Sequence, residues 1–169
     1  ETRSVTQWMP VRLHHAAAEI GARVVLLGDD PVPPGGEAFV QLVMDQPLAA
    51  VAGDRFVLRD SAASRTIGGG TILDLRPPER HRGTPARRAE LEILAGHDAM
   101  FMLRQLLESG RGFVDIAAFF RDRAAAEPLV EEAIRALDLV TFADGDRVIG
   151  LTQSAWRAYA TEAIATLDR

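Results

Sequence analysis

Residues 55–75, RFVLRDSAASRTIGGGTILDL, decide how the first half of this chain folds. Phe56, Val57 and Leu58 form one apolar strand run, and residues 61–64 supply a short polar turn. Thr66 to Leu75 then resume a strand, interrupted by Gly68, Gly69 and Gly70. Two such runs around a short loop read as a β-hairpin. Three glycines inside a strand cost backbone entropy and leave no side chain to pack, so something must require them. The usual requirement is a sharp bend at a barrel corner, or another backbone passing close by. A flexible loop fits less well, because Ile67 and residues 71–73 continue a strand-like run on both sides. A phosphate cradle fits least, since no Lys-Ser/Thr pair follows and no helical pattern begins there.

Working outward, strand-like runs appear at residues 11–15, 23–27, 38–45, 55–60 and 65–75, with no helical period between them. Val, Ile, Leu and Phe dominate these runs, and turn residues separate them. The segment GDDPVPPGG at residues 28–36 is a loop, with Asp29-Asp30 read as a solvated turn. Pro47 ends one strand and Ala52-Gly53-Asp54 turns into the next. Short strands with frequent Gly/Pro turns predict a small antiparallel β-barrel over residues 1–78. The fold class is therefore mixed, β then α, because the pattern changes after Pro78.

Residues 79–95 read as a basic linker and short helix. Together with Arg76 the stretch carries Arg80, Arg82, Arg87 and Arg88. Its prolines stiffen it until Thr84, as N-cap, and Pro85, at the first position, start a helix that Gly96 stops. A solvated linker and a basic strap near RNA phosphates are the two readings. Residues 96–151 predict a winged helix. Asp98 caps one helix, with Met102, Leu103, Leu106 and Leu107 at helical spacing and Ser109-Gly110 at its end. Asp115 caps a second, and Pro128 opens a third whose apolar face is Leu129, Val130, Ala133, Ile134 and Leu137. A hairpin turning at residues 143–146 follows, marked by Asp144-Gly145. Thr152 or Ser154 caps the last helix, in residues 152–169. Three helices before a hairpin is the winged-helix order, a helix-turn-helix variant.

The 169 residues are 47% hydrophobic and 25% charged, ordinary values for a globular protein, with net charge −5. No apolar run reaches the roughly 20 residues needed to cross a bilayer. Without cysteine, neither disulfides nor thiolate metal sites are available. Every basic residue is Arg. An acidic chain is not a general nucleic-acid binder, so any RNA contact must be local. The recognition-helix candidate carries Glu127, Glu131 and Glu132 against Arg135, and the wing turn carries Asp144 and Asp146. Both would repel phosphate, which makes the winged helix a structural spacer rather than an RNA reader. His14 and His15 adjoin at a strand end, where alternation packs one and solvates the other. No third ligand is evident for a metal site, and no catalytic arrangement appears.

The run FVLRD followed by RTIGGGTILD resembles the closing hairpin of the third domain of translational GTPases of the elongation factor Tu type. VRLHHAAAEIGARVVLLGDD and FVQLVMDQPLAAVAGDRFVLRD resemble, within that group, the bacterial selenocysteine-specific elongation factors. The resemblance implies a six-stranded barrel whose first strand lies before Val11. ETRSVTQWMP does not read as that strand, so the barrel is expected to be incomplete near Val11, with residues 3–7 as an irregular pairing partner. It implies part of a factor delivering selenocysteyl-tRNA to the ribosome at recoded UGA codons. A GTP-binding domain with its GTP and Mg would lie elsewhere in the longer protein, leaving this fragment without catalysis or cofactor. Further winged helices after the helix of residues 152–169 would grip the mRNA hairpin. The expected setting is a cytoplasmic, membrane-free monomer.

Laid along the family pattern, RNA contacts fall on Gln46 and on Ser64 and Arg65, with a further position at Val11 that is apolar here. For Arg65, a hairpin salt bridge with Asp60 or Asp74 is the competing role. Two other functions stay open: a DNA-binding winged-helix regulator, and an interaction module of a different translational GTPase.

Overall fold

The computed structural model describes residues 4–28, 31–109 and 112–167; Asp29-Asp30, Gly110-Arg111 and the first and last residues of the chain lie outside this range. The chain forms two compact units, Glu1–Leu91 and Glu92–Arg169.

The first unit is a curled, half-barrel antiparallel sheet of β1 (Pro10–His15), β2 (Ala18–Leu26), β3 (Val40–Met44), β4 (Arg55–Asp60) and β5 (Thr66–Thr71), in the order β3-β2-β1-β4-β5. Strand alternation sends Val11, Leu13, Ala22, Val24 and Leu58 to one inner face, where Val5, Val40, Leu42, Phe56 and Ile67 complete the core. β2 starts at Ala18, well before the apolar run that marks it in sequence. Ala16 and Ala17 form a tight turn, with Ala16 at φ 49°, and pairing with β1 rather than propensity makes a strand of Ala18 to Ala22.

The expected gap near Val11 is not there. β1 is the central strand, and Val11 pairs with Ala22 on one side and Asp60 on the other. The unpaired edges are β3 and β5 instead. Between them a cleft of about 620 Å³ is lined by residues that include Val40, Leu42, Leu48, Ile67 and Leu73. The segment before β1 does pair irregularly: Val5 and Val32 exchange two backbone hydrogen bonds of 2.9 Å, and the Trp8 amide donates to Val24.

The close backbone approach inferred for the glycine strand is present, beside a bulge. The β4–β5 register shifts between Leu58 and Arg59. A Cβ on Gly69 would stand 2.8 Å from the Phe56 carbonyl oxygen, and one on Gly70 would meet the Phe56 ring at the same distance. β5 ends at Thr71, although Ile72 still exchanges backbone hydrogen bonds with Gly53 and Asp54. In α1 (Pro85–Leu94) the Thr84 hydroxyl accepts from the Arg87 amide at 3.3 Å, the cap anticipated. Arg87 and Leu91 are buried.

The second unit contains α2 (Ala99–Glu108), β6 (Phe113–Asp115), α3 (Ile116–Arg121), α4 (Pro128–Ala136), β7 (Val140–Asp144), β8 (Arg147–Leu151) and α5 (Gln153–Leu167). The Asp98 and Asp115 carboxylates accept from Phe101 and Ala118 amides at 2.7 and 3.0 Å, and Thr152 rather than Ser154 caps α5. The hairpin turn centres on Gly145 and Asp146, one residue later than Asp-Gly suggests. Gly145 takes φ 61° at the first central position, where a II′ turn needs glycine. β6 was not legible as a strand. Its three residues join the hairpin as β6-β8-β7. Met102, Leu103, Leu107, Ile116, Phe119, Phe120, Ala133 and Leu139 form the core. Gly150 lets β8 lie against α3, since a Cβ there would collide with the Ile116 Cδ1. No helix among the described residues is long and apolar enough to cross a membrane.

Candidate nucleic-acid interface

Register in the first unit aligns the strand ends that precede the family-derived contact positions in one row across the sheet. Met44 pairs with Ala22, Ala22 with Val11, and Val11 with Asp60, so these four residues form one row across the sheet. Gln46, exposed, follows Met44, and Ser64 and Arg65 follow Asp60; β3 and β4 run in opposite directions, so the two segments leave the row toward opposite ends of the sheet. Three strand spacings, roughly 14 Å measured along the sheet, separate Met44 from Asp60. Val11 itself points inward and is 3% exposed, so its side chain is not available to RNA.

The loop of residues 61–65 is organised by Asp60. Its Oδ1 accepts from the Ser64 amide at 2.6 Å and the Arg65 amide at 3.2 Å, while its Oδ2 accepts from the Ser64 hydroxyl at 2.7 Å. The Ser64 hydroxyl bond, with the two amides and the Arg65 charge, holds the Asp60 carboxyl below the ordinary carboxylate value. The Ser64 proton is thereby committed within the chain. Arg65 contributes its charge beside Asp60. Asp74, the other partner considered for Arg65, pairs with Arg87.

Arg87 shows what the charge run concealed. Its side chain is 9% exposed, and its guanidinium is bonded to the Asp74 and Glu90 carboxylates, the latter at 2.7 Å. Burial opposes the charged form, yet the Glu90 bond and the Asp74 charge outweigh it and raise the Arg87 pKa. One of the five linker arginines is thus a buried anchor of the first unit, neither solvated linker nor phosphate strap.

The adjoining histidines also depart from expectation, because neither is simply solvated. His15 Nε2 lies 2.9 Å from Asp54 Oδ2, which also accepts from the Val51 amide. That amide, with His15, lowers the Asp54 pKa despite partial burial. His14 Nε2 is buried. Among the described residues no group of three His, Cys, Asp or Glu is placed to hold a metal ion.

In the second unit the α4 carboxylates Glu131 and Glu132 are exposed. Asp146 at the hairpin turn meets Arg121 at 3.4 Å, and Arg147 meets Asp115 at 3.1 Å. The Ala118 and Val148 amides and Arg147 lower the Asp115 pKa against the opposing effect of burial. These pairs spend the nearby cations inside the unit.

Comparison with known proteins adds an independent line. Residues 1–79 match the family described as "Selenocysteine-specific elongation factor, beta-barrel domain". Curated proteins named selenocysteine-specific elongation factor are similar to this chain. The Escherichia coli (strain K12) protein is 38% identical over 91 residues, covering 54% of this chain and 14% of that protein. The Desulfomicrobium baculatum protein is 32% identical over 109 residues, covering 63% and 17%. The Haemophilus influenzae protein is 28% identical over 86 residues, covering 51% and 14%. The chain therefore spans under a fifth of the length of the relatives it matches.

Proposed function

We propose, with residues 1–79 belonging to the β-barrel domain family of selenocysteine-specific elongation factors, that this chain is part of a factor delivering selenocysteyl-tRNA to the ribosome at recoded UGA codons. One observation carries the reading: the family-matched residues coincide with the curled sheet of the first unit. In this reading the barrel supports tRNA backbone through positioning contacts at Gln46, Ser64 and Arg65, which carry no sequence information themselves. The second unit serves as a spacer toward modules that hold the mRNA hairpin. Its acidic α4 supports that role over nucleic-acid reading. GTP and Mg belong to a domain outside these residues, since no Gly-rich loop with Lys-Ser/Thr occurs among them.

The test is filter binding of the chain to selenocysteine tRNA and to an elongator tRNA. Preferential retention of selenocysteine tRNA is expected. Equal, negligible retention of both would reduce the barrel to a structural role.

A further inference from the structure

In the small sheet of the second unit, ordered β6-β8-β7, the strand β7 is bonded on one side only. In a two-residue hairpin the residues flanking the turn, here Asp144 and Arg147, bond each other, and bonded positions then alternate along the strand. Thr141 and Ala143 fall between bonded positions, so their amides and carbonyls point away from the sheet. The Val148 amide, opposite Ala143, agrees with this: it turns from β7 to the Asp115 carboxylate. Thr141 and Ala143 are both exposed, and no other backbone group among the described residues takes up their bonds. Such an edge is a template for one further strand.

Aromatic surface lies beside this edge. Phe142 and Trp156 pack with ring centroids 5.2 Å apart, yet stay 44% and 39% exposed. Tyr159, one turn further along α5, is 41% exposed, and α5 has no buried residue. The chain's only tyrosine and one of its two tryptophans thus sit near an unpaired strand. Partly exposed aromatics of this kind are the side chains that anchor protein interfaces. A strand laid along β7 would set every second side chain on the Phe142 face.

Charge selects the occupant. Residues 92–169 hold 13 Asp and Glu against 8 Arg, whereas residues 1–91 hold 11 of each, so the net charge of −5 falls in the second unit. Asp138 precedes β7 and Asp144 ends it. Both are exposed, and neither has an ion-pair partner among the described residues. Asp144 shares the Phe142 face, two residues along the strand. Phosphate would be repelled there, which counts against a nucleic acid stacking its bases on the aromatics. A second copy would bring two acidic units together, which like charge opposes.

We propose that the free edge of β7, with Phe142, Trp156 and Asp144, docks an extended, lysine- or arginine-bearing segment of a protein partner as a fourth strand. Thr141 and Ala143 supply the backbone bonds, the aromatic pair takes apolar side chains, and Asp144 and Asp138 meet the cations. The inference does not rest on the RNA-delivery reading, and it adds a protein contact to the second unit's place as a spacer.

The full 169-residue chain is titrated by anisotropy with a fluorescein-labelled octapeptide of alternating Thr and Val ended by Lys at both termini, and with the same peptide ended by Glu. Preference for the Lys-ended peptide is expected, together with slowed hydrogen exchange at the Thr141 and Ala143 amides. Thr141→Pro removes an outward donor where an edge strand accepts proline, and should abolish binding. Asp144→Lys, at an exposed position, should weaken binding about threefold to fivefold, and carries the test if Thr141→Pro does not fold. Unchanged affinity in either folded variant, or equal binding of the Glu-ended peptide, overturns the site. So does a wild-type chain that binds no Lys-ended peptide at millimolar concentration. Protection of the same amides by dimerisation of the free chain overturns the basic partner in favour of a second copy. Tighter binding of a labelled oligouridylate than of the peptide overturns it in favour of RNA.

Discussion

Gly68 and Gly69 are neighbours on β5, yet only one of them has no room for a side chain. A Cβ on Gly69 would press on the Phe56 carbonyl at 2.8 Å, whereas nothing lies within 4 Å of a Cβ on Gly68. Backbone cannot swing aside as a side-chain tip can. Gly69→Ala should therefore cost about 1–3 kcal/mol. Gly68→Ala should stay within about 0.5 kcal/mol, as surface substitutions do. Urea unfolding of the two variants checks this, and equal losses would refute the close-approach account. That a glycine run in a strand demands a close approach was legible in sequence. Which glycine meets it was not, because the answer depends on the cross-strand register of Phe56 with Gly70.

At the scale of elements, α1 shows the limit of reading charge runs. Its cap and first residue follow from Thr84-Pro85, since capping is local chemistry. The role of Arg87 does not, because Asp74 lies thirteen residues away in sequence. Removing Arg87 would leave two carboxylates facing each other at a partly buried site. Arg87→Leu should lower stability by about 2–4 kcal/mol, below the full cost for deeply buried pairs because Glu90 is 46% exposed. Arg88→Leu, at an exposed position of the same helix, should be close to neutral. Thermal melts by circular dichroism separate the two, and a neutral Arg87→Leu would sink the anchor role. β6 was missed for a related reason: three residues have no detectable period, and pairing with β8 makes them a strand.

At the scale of the molecule, charge is divided by location rather than by total. Arg12 and Arg59 stand opposite each other on paired strands of the first unit, while α4 of the second presents Glu131 and Glu132 to solvent. Reversing both glutamates, as Glu131→Lys with Glu132→Lys, should leave affinity for the mRNA hairpin unchanged in an anisotropy titration against that hairpin. A large change in either direction would end the spacer reading. The sequence by itself determined the β-then-α order, the glycine hairpin, three helix caps and the family resemblance. All of these depend on residues close together in the chain or on short motifs. Only tertiary structure decided that β1 is central, that the open edges are β3 and β5, and that Arg87 is buried against Asp74. Each of those depends on which strands pair and in what register, and that is settled by long-range contacts that no local pattern encodes.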